Sequence, residues 1–229
     1  FTVDSVTIEL ANDLTLKTPL NFTNQCAILG NNHAIDFKTT GSIIIGSQSS
    51  LYLKNITLKN FGGTQLRCFD NSATISLDNV QFIFDKPYQF DAGRLDIVGD
   101  FKVSGTNKFS YFSPTASTIF SGASWTFDHF STFSYIPSSN NRKGIQCIDR
   151  TSRLIFNNAT LYSTATGLSL TKGELWVDGR MTIESDAVST AEGIEWGDGL
   201  SANNDLKVTL MPGAEISLES GCVVNKNMT

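Results

Sequence analysis

A short strand–bend–strand unit recurs along the chain and constrains its fold more than any other feature. Three copies have the pattern hydrophobic-x-hydrophobic-x-Asn-hydrophobic-x-hydrophobic and span residues 51–58, 75–82 and 154–161. Alternation of apolar and other residues is typical of a β-strand with one buried side. Asparagine tolerates left-handed backbone because its short side chain can hydrogen-bond locally. Each unit is therefore predicted to be two strands joined by a sharp bend with positive φ.

Other copies carry glycine at the bend, which reaches positive φ at the least steric cost. They span 95–103, 118–127, 175–183 and 206–218. Most copies begin 20 to 24 residues apart, which suits three strands and so one coil of a parallel β-solenoid. An antiparallel sandwich also predicts alternation, but it does not predict Asn or Gly at a fixed place in every unit.

Two longer steps between copies, of 36 and 31 residues, are expected to be coils that carry surface loops. The loops are predicted at Pro137–Lys143 and Trp196–Asn204. The sequence therefore predicts one all-β domain over residues 1–229, a single-stranded parallel β-helix of eight or nine coils with two longer loops.

The strongest internal match relates residues 63–82 to the segment 79 positions later, where seven positions agree in type. If equivalent residues stack, the inward side chains form two ladders. The ladders are expected to be Leu51, Ile75, Leu95, Leu154 and Leu175, and then Leu53, Leu77, Ile97, Phe156 and Val177. The nine residues Phe109, Tyr111, Phe112, Phe120, Trp125, Phe127, Phe130, Phe133 and Tyr135 are expected in the core, with an exposed aromatic face as the alternative.

The four cysteines are far apart in the sequence, so they do not form the close pairs that are typical of a zinc site. Cys68 and Cys147 are equivalent in the match, about three coils apart, which is too far for a disulfide. We expect both to be reduced and to point inward. The even cysteine count is compatible with secretion. The sequence leaves open the redox state of Cys26 and Cys222.

The composition excludes several classes of protein. Hydrophobic residues make up 40% of the chain and charged residues 17%, and the net charge is -5 without a basic cluster. A nucleic-acid surface needs concentrated Lys and Arg, so nucleic acid is not an expected partner. The longest aliphatic run is Ile43–Ile45, so no membrane insertion is expected. Ser, Thr and Asn number 25, 24 and 18, which suits bends and the outer sides of strands.

Residues 30–37 (Gly-Asn-Asn-His-Ala-Ile-Asp-Phe) and 51–60, with their Asn bends, resemble right-handed parallel β-helix proteins of the pectate-lyase-like superfold. The resemblance implies a right-handed helix. It assigns no activity, because lyases, hydrolases, phage tailspikes, adhesins and surface proteins share such coils. The hydrolases of this group carry Gly-His-Gly and Arg-x-Lys. Here His33 has no glycine after it, and Arg142 and Lys143 are adjacent. The resemblance is therefore to the non-catalytic surface or fibre type.

Acidic residues give two weak site hypotheses. Asp70, Asp149 and Asp198 follow related strands and could line one face, although turn formation explains them as well. The other hypothesis is a sugar site formed by Glu192, Glu195, Trp196 and Asp198. No residue is assigned as catalytic, cofactor-binding or metal-binding, and no cofactor is expected.

Four Asn-x-Ser/Thr sequons are present, at Asn21, Asn55, Asn158 and Asn227. The bend explains Asn55 and Asn158 without glycosylation, so the sequence does not decide whether any of them is modified. Neither terminus has an amphipathic helix that would cap a solenoid. Residues 1–9 alternate like a strand, and Cys222–Val224 is apolar.

We therefore predict a structural protein, extracellular or on the cell surface, that associates with itself head to tail through its terminal coils. The alternative is a carbohydrate-active enzyme or carbohydrate-binding module on the same rod, with glycans as partners. A second alternative is a receptor-binding spike fragment, which would form a lateral trimer.

Overall fold

The strands of this chain pair in parallel with strands about one coil away in the sequence. The computed structural model describes residues 1–138, 143–164, 167–185, 192–196, 205–219 and 223–226. These residues form a parallel β-solenoid with no helix. Accordingly, no described segment is a helix of the length and hydropathy needed to cross a membrane.

The described residues form twenty-four strands of the solenoid. The first twelve are β1 (Thr2–Asp4), β2 (Thr7–Glu9), β3 (Leu14–Leu16), β4 (Pro19–Thr23), β5 (Gln25–Leu29), β6 (Ala34–Phe37), β7 (Ser42–Ile45), β8 (Ser50–Gly63), β9 (Leu66–Cys68), β10 (Thr74–Phe90), β11 (Arg94–Ile97) and β12 (Asp100–Ser104). The others are β13 (Lys108–Tyr111), β14 (Ser117–Ile119), β15 (Ser124–Asp128), β16 (Thr132–Tyr135), β17 (Ile145–Cys147), β18 (Arg153–Ser163), β19 (Leu168–Leu170), β20 (Lys172–Ser185), β21 (Glu192–Trp196), β22 (Asp205–Leu210), β23 (Glu215–Leu218) and β24 (Val223–Lys226).

Three ladders of strands form the faces of the solenoid. The first ladder is β2, β5, β8, β10, β11, β14 and β17. The second is β3, β6, β8, β10, β12, β15, β18, β20 and β22. The third begins with β1, β4, β7 and β9, and it continues from the ends of β8 and β10 through β13, β16, β18, β20 and β23.

The stack has about seven turns when counted on the first ladder. The second ladder has nine strands, against eight or nine predicted coils. The long strands are β8, β10, β18 and β20. Each continues as a strand around a corner of the solenoid and therefore belongs to more than one ladder.

Inward side chains of successive coils stack in rows that form the core. In the first ladder Leu53, Leu77, Ile97 and Ile119 are in register. In the second ladder the row is Phe82, Val103, Phe127, Phe156 and Val177. Every one of these nine side chains is almost completely buried. Burial of one such side chain stabilises the fold by about 2 kcal/mol, so these rows are the main source of cohesion.

The predicted stacking of equivalent repeats is wrong for the second half of the chain. Leu154 stacks on Trp125 in the second ladder, whereas Ile75 stacks on Leu95 in the first. The reason is that Leu154 lies in the tenth strand segment after that of Ile75, which is three coils and one further strand. The second copy of the repeated unit therefore begins one face further around the solenoid than the first copy. Leu175, Phe156 and Val177 follow Leu154 into the second ladder.

The same displacement separates the two matched cysteines. Cys68 ends a strand of the third ladder, and Cys147 ends a strand of the first. Cys26, Cys68 and Cys147 are free cysteines. Cys68 is buried, and Cys147 is partly buried and packs against the core. Cys222 lies outside the described residues.

Positive φ at the bends is confirmed at six of the seven positions. The six residues are Asn55, Asn79, Gly122, Asn158, Gly179 and Gly213. Gly99 does not have positive φ. A Cβ at Gly99 would lie 2.3 Å from Oδ1 of Asp78 and 3.2 Å from the backbone N of Asn79, so the neighbouring coil leaves little room for a side chain here.

The Asn bends of neighbouring coils also hydrogen-bond to each other. Nδ2 of Asn79 donates to Oδ1 of Asn55 at 2.9 Å. Asn158 instead faces Gly179, and its Oδ1 accepts the N–H of Arg180 at 3.1 Å. The stack of Asn side chains predicted from the sequence is thus present where two Asn bends are adjacent.

Asn79→Ala is expected to lower the free energy of unfolding by about 2 kcal/mol, because alanine disfavours left-handed backbone and the bond to Asn55 is lost. Asn79→Gly loses the bond but keeps the backbone conformation, so it should be about 1 kcal/mol more stable than Asn79→Ala. Urea unfolding followed by circular dichroism measures both variants. Equal stability of the two would contradict the role of positive φ at this bend.

Candidate functional site

The solenoid has an open edge at the N-terminal end of the described chain, which we call the head edge and define as β1, β2 and β3. Among the described strands, each of these three pairs with one neighbour only, from the next coil. The N–H of Lys38 donates to the C=O of Leu16 at 3.0 Å. Backbone groups of successive strand residues alternate between the two edges, so Thr15 directs its N–H and C=O away from the stack. Within the described chain, the outward-directed backbone groups of the head edge are therefore not paired with another strand.

Apolar side chains accompany the head edge. Leu14 and Val6 are exposed, and Phe1 is 84% exposed, although Val3 and Leu16 are buried. The described part of the chain contains no helix that could cover these strands. Such an uncovered parallel edge is a template for pairing with another strand.

The strands at the opposite end of the described stack also pair on one side only. We define the tail edge as β22, β23 and β24, which pair on one side only, with β20 and β21. The N–H of Met211 donates to the C=O of Val177 at 3.0 Å, so by alternation Val208 and Leu210 direct their backbone groups outward. Leu210 and Leu218 are each 53% exposed. The inner side of the last described coil is thus partly uncovered.

The two edges have matching hydrogen-bond polarity. Inside the stack, a residue whose side chain points outward donates its backbone N–H to a residue of the preceding coil whose side chain points inward. The N–H of Arg153, for example, donates to the C=O of Ala123 at 3.0 Å. The head edge presents the outward-facing residue Thr15 and the tail edge presents the inward-facing residue Val208. A tail edge placed on a head edge can therefore repeat the pairing found inside the stack.

Glu174 fastens β22, at the tail, to the coil before it. The buried carboxylate of Glu174 accepts hydrogen bonds from Nζ of Lys207 at 2.8 Å and from the hydroxyl of Thr209 at 2.5 Å. On the other side, Nε of Arg153 donates to it at 3.0 Å, and the Arg153 guanidinium lies over the ring of Trp176. Burial alone would raise the pKa of Glu174, but these hydrogen bonds outweigh burial and lower it.

A shallow groove lies on the side of the rod, at the corner between the second and third ladders. It has a volume of about 140 Å³ and is lined by Phe130, Asn158, Ala159, Thr160, Arg180 and Thr182. The Phe130 ring is prominent because the residue is 72% exposed. We call this feature the corner groove.

The backbone beside the corner groove is unusual. His129 and Phe130 both have positive φ, of 53° and 64°, which is rare for residues other than Gly and Asn. Two contacts hold this corner: the N–H of Phe130 donates to the C=O of Asn158 at 2.7 Å, and Nδ1 of His129 lies 2.9 Å from the buried carboxylate of Asp128. A left-handed conformation of this kind costs about 1 kcal/mol or more and is concentrated at functional positions.

The acidic residues singled out in the sequence do not share one face. Asp70 accepts the N–H of Ser72 at 2.9 Å, and Asp149 accepts the N–H of Thr151 at 2.8 Å. Hydrogen bonds from Ser121 and Thr151 lower the pKa of Asp149 to about 2. Asp70 lies at the corner after the third ladder and Asp149 at the corner after the first, so turn formation explains both and the shared face is wrong.

The residues of the predicted sugar site lie only partly within the described part of the chain. Glu192, Glu195 and Trp196 belong to β21, which pairs with β19 and β24. Asp198 lies outside the described residues, as does the sequon at Asn227. Asn21 lies on β4 and is partly exposed.

Most of the predicted aromatic cluster is in the core, as expected. Phe109, Tyr111, Trp125, Phe127, Phe133 and Tyr135 are fully buried. Phe112 is half-buried, whereas Phe120 and Phe130 are exposed. Sequence reasoning missed Thr160, Arg180 and Thr182 as neighbours of Phe130, because only the stacking of coils brings them together.

No group of three His, Cys, Asp or Glu residues in the described ranges is arranged to hold a metal ion. No family model, curated protein or solved structure matches the chain. The candidate sites therefore rest on geometry alone: two open edges and one lateral groove.

Glu174→Gln is expected to lower the free energy of unfolding at pH 7 by about 2 kcal/mol, because Lys207 and Arg153 lose a buried charged acceptor. The folded-state pKa of Glu174 lies below its ordinary value of 4.5. The ionised carboxylate therefore adds stability that is fully present above pH 4.5 and is lost as the pH falls through the folded pKa.

Unfolding measured by urea between pH 7 and pH 3 checks this, with the exposed Glu9→Gln as the matched control. Glu174→Gln should reduce the loss of stability below pH 4.5, and Glu9→Gln should behave like the parent chain. If both variants lose stability in parallel with the parent, Glu174 does not fasten the tail in this way.

Proposed function

We propose that this chain is a structural protein, a β-helix rod that assembles end to end into a fibre by placing the tail edge of one subunit on the head edge of the next. The observation that carries the proposal is the matching polarity of the two edges, which are open on all three faces. Tail-to-head contact is heterologous, and a heterologous contact that does not close into a ring produces an open filament.

Burial of apolar surface would stabilise such a junction. Leu210 and Leu218 at the tail and Leu14 at the head are uncovered in the single chain and would continue the inward rows across the junction. Carboxylates at both ends oppose it: Asp4 and Glu9 lie at the head, and Glu215 and Glu219 lie at the tail. Because exposed like charges are screened by salt, assembly should strengthen as ionic strength rises.

The proposal includes a location outside the cell or on its surface, where a low-charge rod rich in Ser, Thr and Asn would form a fibre or coat. It also includes a non-catalytic relationship to the pectate-lyase-like superfold. A receptor-binding spike would instead associate along its side as a trimer, and electron microscopy separates a trimer from an axial filament.

Thr15→Pro tests the end-to-end junction, because proline removes an N–H that points away from the stack and breaks no hydrogen bond inside the subunit. We expect filaments in negative-stain electron microscopy of the parent chain and of Thr15→Ala, which keeps the N–H. Thr15→Pro should remain monomeric in sedimentation at the same concentration, with a circular dichroism spectrum like that of the parent. Filaments of Thr15→Pro as abundant as those of the parent, or a parent chain that stays monomeric at high salt, would contradict the proposal.

The corner groove supports a second candidate function, the binding of a glycan. An exposed aromatic ring beside hydroxyl, amide and guanidinium groups matches the apolar face and the hydroxyls of a sugar ring. Phe130 supplies the ring, and Thr160, Asn158 and Arg180 supply the polar groups. Contact between the Phe130 ring and a sugar would explain why the chain keeps a strained backbone at this residue.

Phe130→Ala is expected to weaken glycan binding about tenfold, as measured by titration with neutral and acidic oligosaccharides selected on a glycan array. Phe69→Ala is the matched control, since Phe69 is also on a corner and is 70% exposed, but lies away from the groove. Both variants should unfold like the parent chain. Binding that is equal in the two variants, or absent in the parent, would exclude the corner groove as a glycan site.

A further inference from the structure

The first ladder is interrupted between β17 and β19, and a cleft lies at the interruption. Among the described residues, β17 pairs with β14, and β19 pairs with β21 in a separate three-stranded sheet that ends with β24. No backbone hydrogen bond joins β17 to β19 in the described chain. The cleft has a volume of about 230 Å³ and is lined by residues of both strands and by Lys143 and Lys172.

The edge of β17 that faces the cleft has free hydrogen-bonding groups. Ile148 N–H donates to Ile119 C=O at 3.1 Å, and Gly144 C=O accepts from Ser117 N–H at 2.7 Å. Those groups point back towards β14, so by alternation Ile145 and Cys147 direct their N–H groups towards β19. Buried backbone donors are almost always paired, by protein or by another molecule.

A side chain in the cleft is also without a partner. Ser169 is only 3% exposed, and its hydroxyl has no hydrogen-bond partner among the described residues. A buried hydroxyl left unpaired costs about 1–3 kcal/mol, so its retention at this position calls for an explanation. Ser169 lines the cleft, where a bound molecule could accept its hydrogen bond.

Two lysines lie beside the cleft. Lys143 and Lys172 are exposed at its rim, and none of the described lining residues carries a carboxylate. Asp205, which is in register with Lys172, directs its carboxylate to Arg150. The Cys147 thiol is not a competing anion, because burial raises its pKa to about 12. The cleft thus combines the Lys172 ammonium group, an unpaired hydroxyl and backbone N–H groups, all of which are donors to an oxyanion.

We propose that the cleft between β17 and β19 binds a compact oxyanion, a phosphate or carboxylate group. The volume has room for about seven water molecules at about 30 Å³ each, which suits a small anion with a few waters. Waters would satisfy the carbonyl groups of Ile145 and Cys147 that share this edge. The anion would accept from Ser169 and Lys172 and so link the two coils where the ladder is broken.

The test is a titration of the whole chain with inorganic phosphate at constant ionic strength, followed by hydrogen–deuterium exchange of β17 and β19. We expect saturable protection of both strands and a rise in the midpoint of thermal unfolding. Lys172→Gln should weaken the apparent affinity about tenfold. Lys17→Gln is the control, because it removes the same charge from an exposed position at the head and should bind like the parent.

Ser169→Ala separates a binding role from a structural one. Removal of an unpaired buried hydroxyl should leave the phosphate-free chain as stable as the parent or more stable, while phosphate binding weakens. Parallel titrations with acetate and phosphoserine show whether the ligand is a carboxylate, free phosphate or a phosphate ester, and saturable binding of any of the three supports the site. Protection that never saturates, or that is equal in Lys172→Gln and Lys17→Gln, is a general salt effect and overturns the proposal.

Discussion

Register between successive coils is the constraint on which the rest of this structure depends. A strand of each coil hydrogen-bonds to the strand one coil earlier, and this pairing places inward side chains such as Leu53, Leu77 and Ile97 directly over one another. A slip of one residue would turn every apolar side chain outward, so the rows and the ladders specify each other.

The two ends follow from the same constraint. In a parallel ladder, the last strand always has one edge without a partner, however many strands precede it. At the head, Thr15 presents its backbone to solvent, and at the tail Val208 does the same with the complementary polarity. Self-association is therefore the interaction that the internal geometry itself suggests. The Glu174 cluster has a separate role, because it holds β22 on the stack whether or not another subunit is present.

Features on the sides of the rod arise where the regular pattern is broken. At the corner groove the break is in the backbone, where His129 and Phe130 adopt a conformation suited to Asn or Gly. At the cleft beside Ser169 the break is in the ladder itself. Both breaks gather different chemical groups, an aromatic ring with a guanidinium in one case and an ammonium group with unpaired donors in the other.

The sequence by itself determined the solenoid, because the pattern of alternating residues around Asn and Gly needs no tertiary information. It also predicted the burial of most aromatic residues, and positive φ at bends such as Asn55 and Asn158. It could not decide which corner each repeat occupies. The strand–bend–strand unit is the same on every face, so only the count of strands between Ile75 and Leu154 places them in different ladders. The candidate sites were equally hidden, since Phe130 and Arg180, or Cys147 and Ser169, become neighbours only when coils stack.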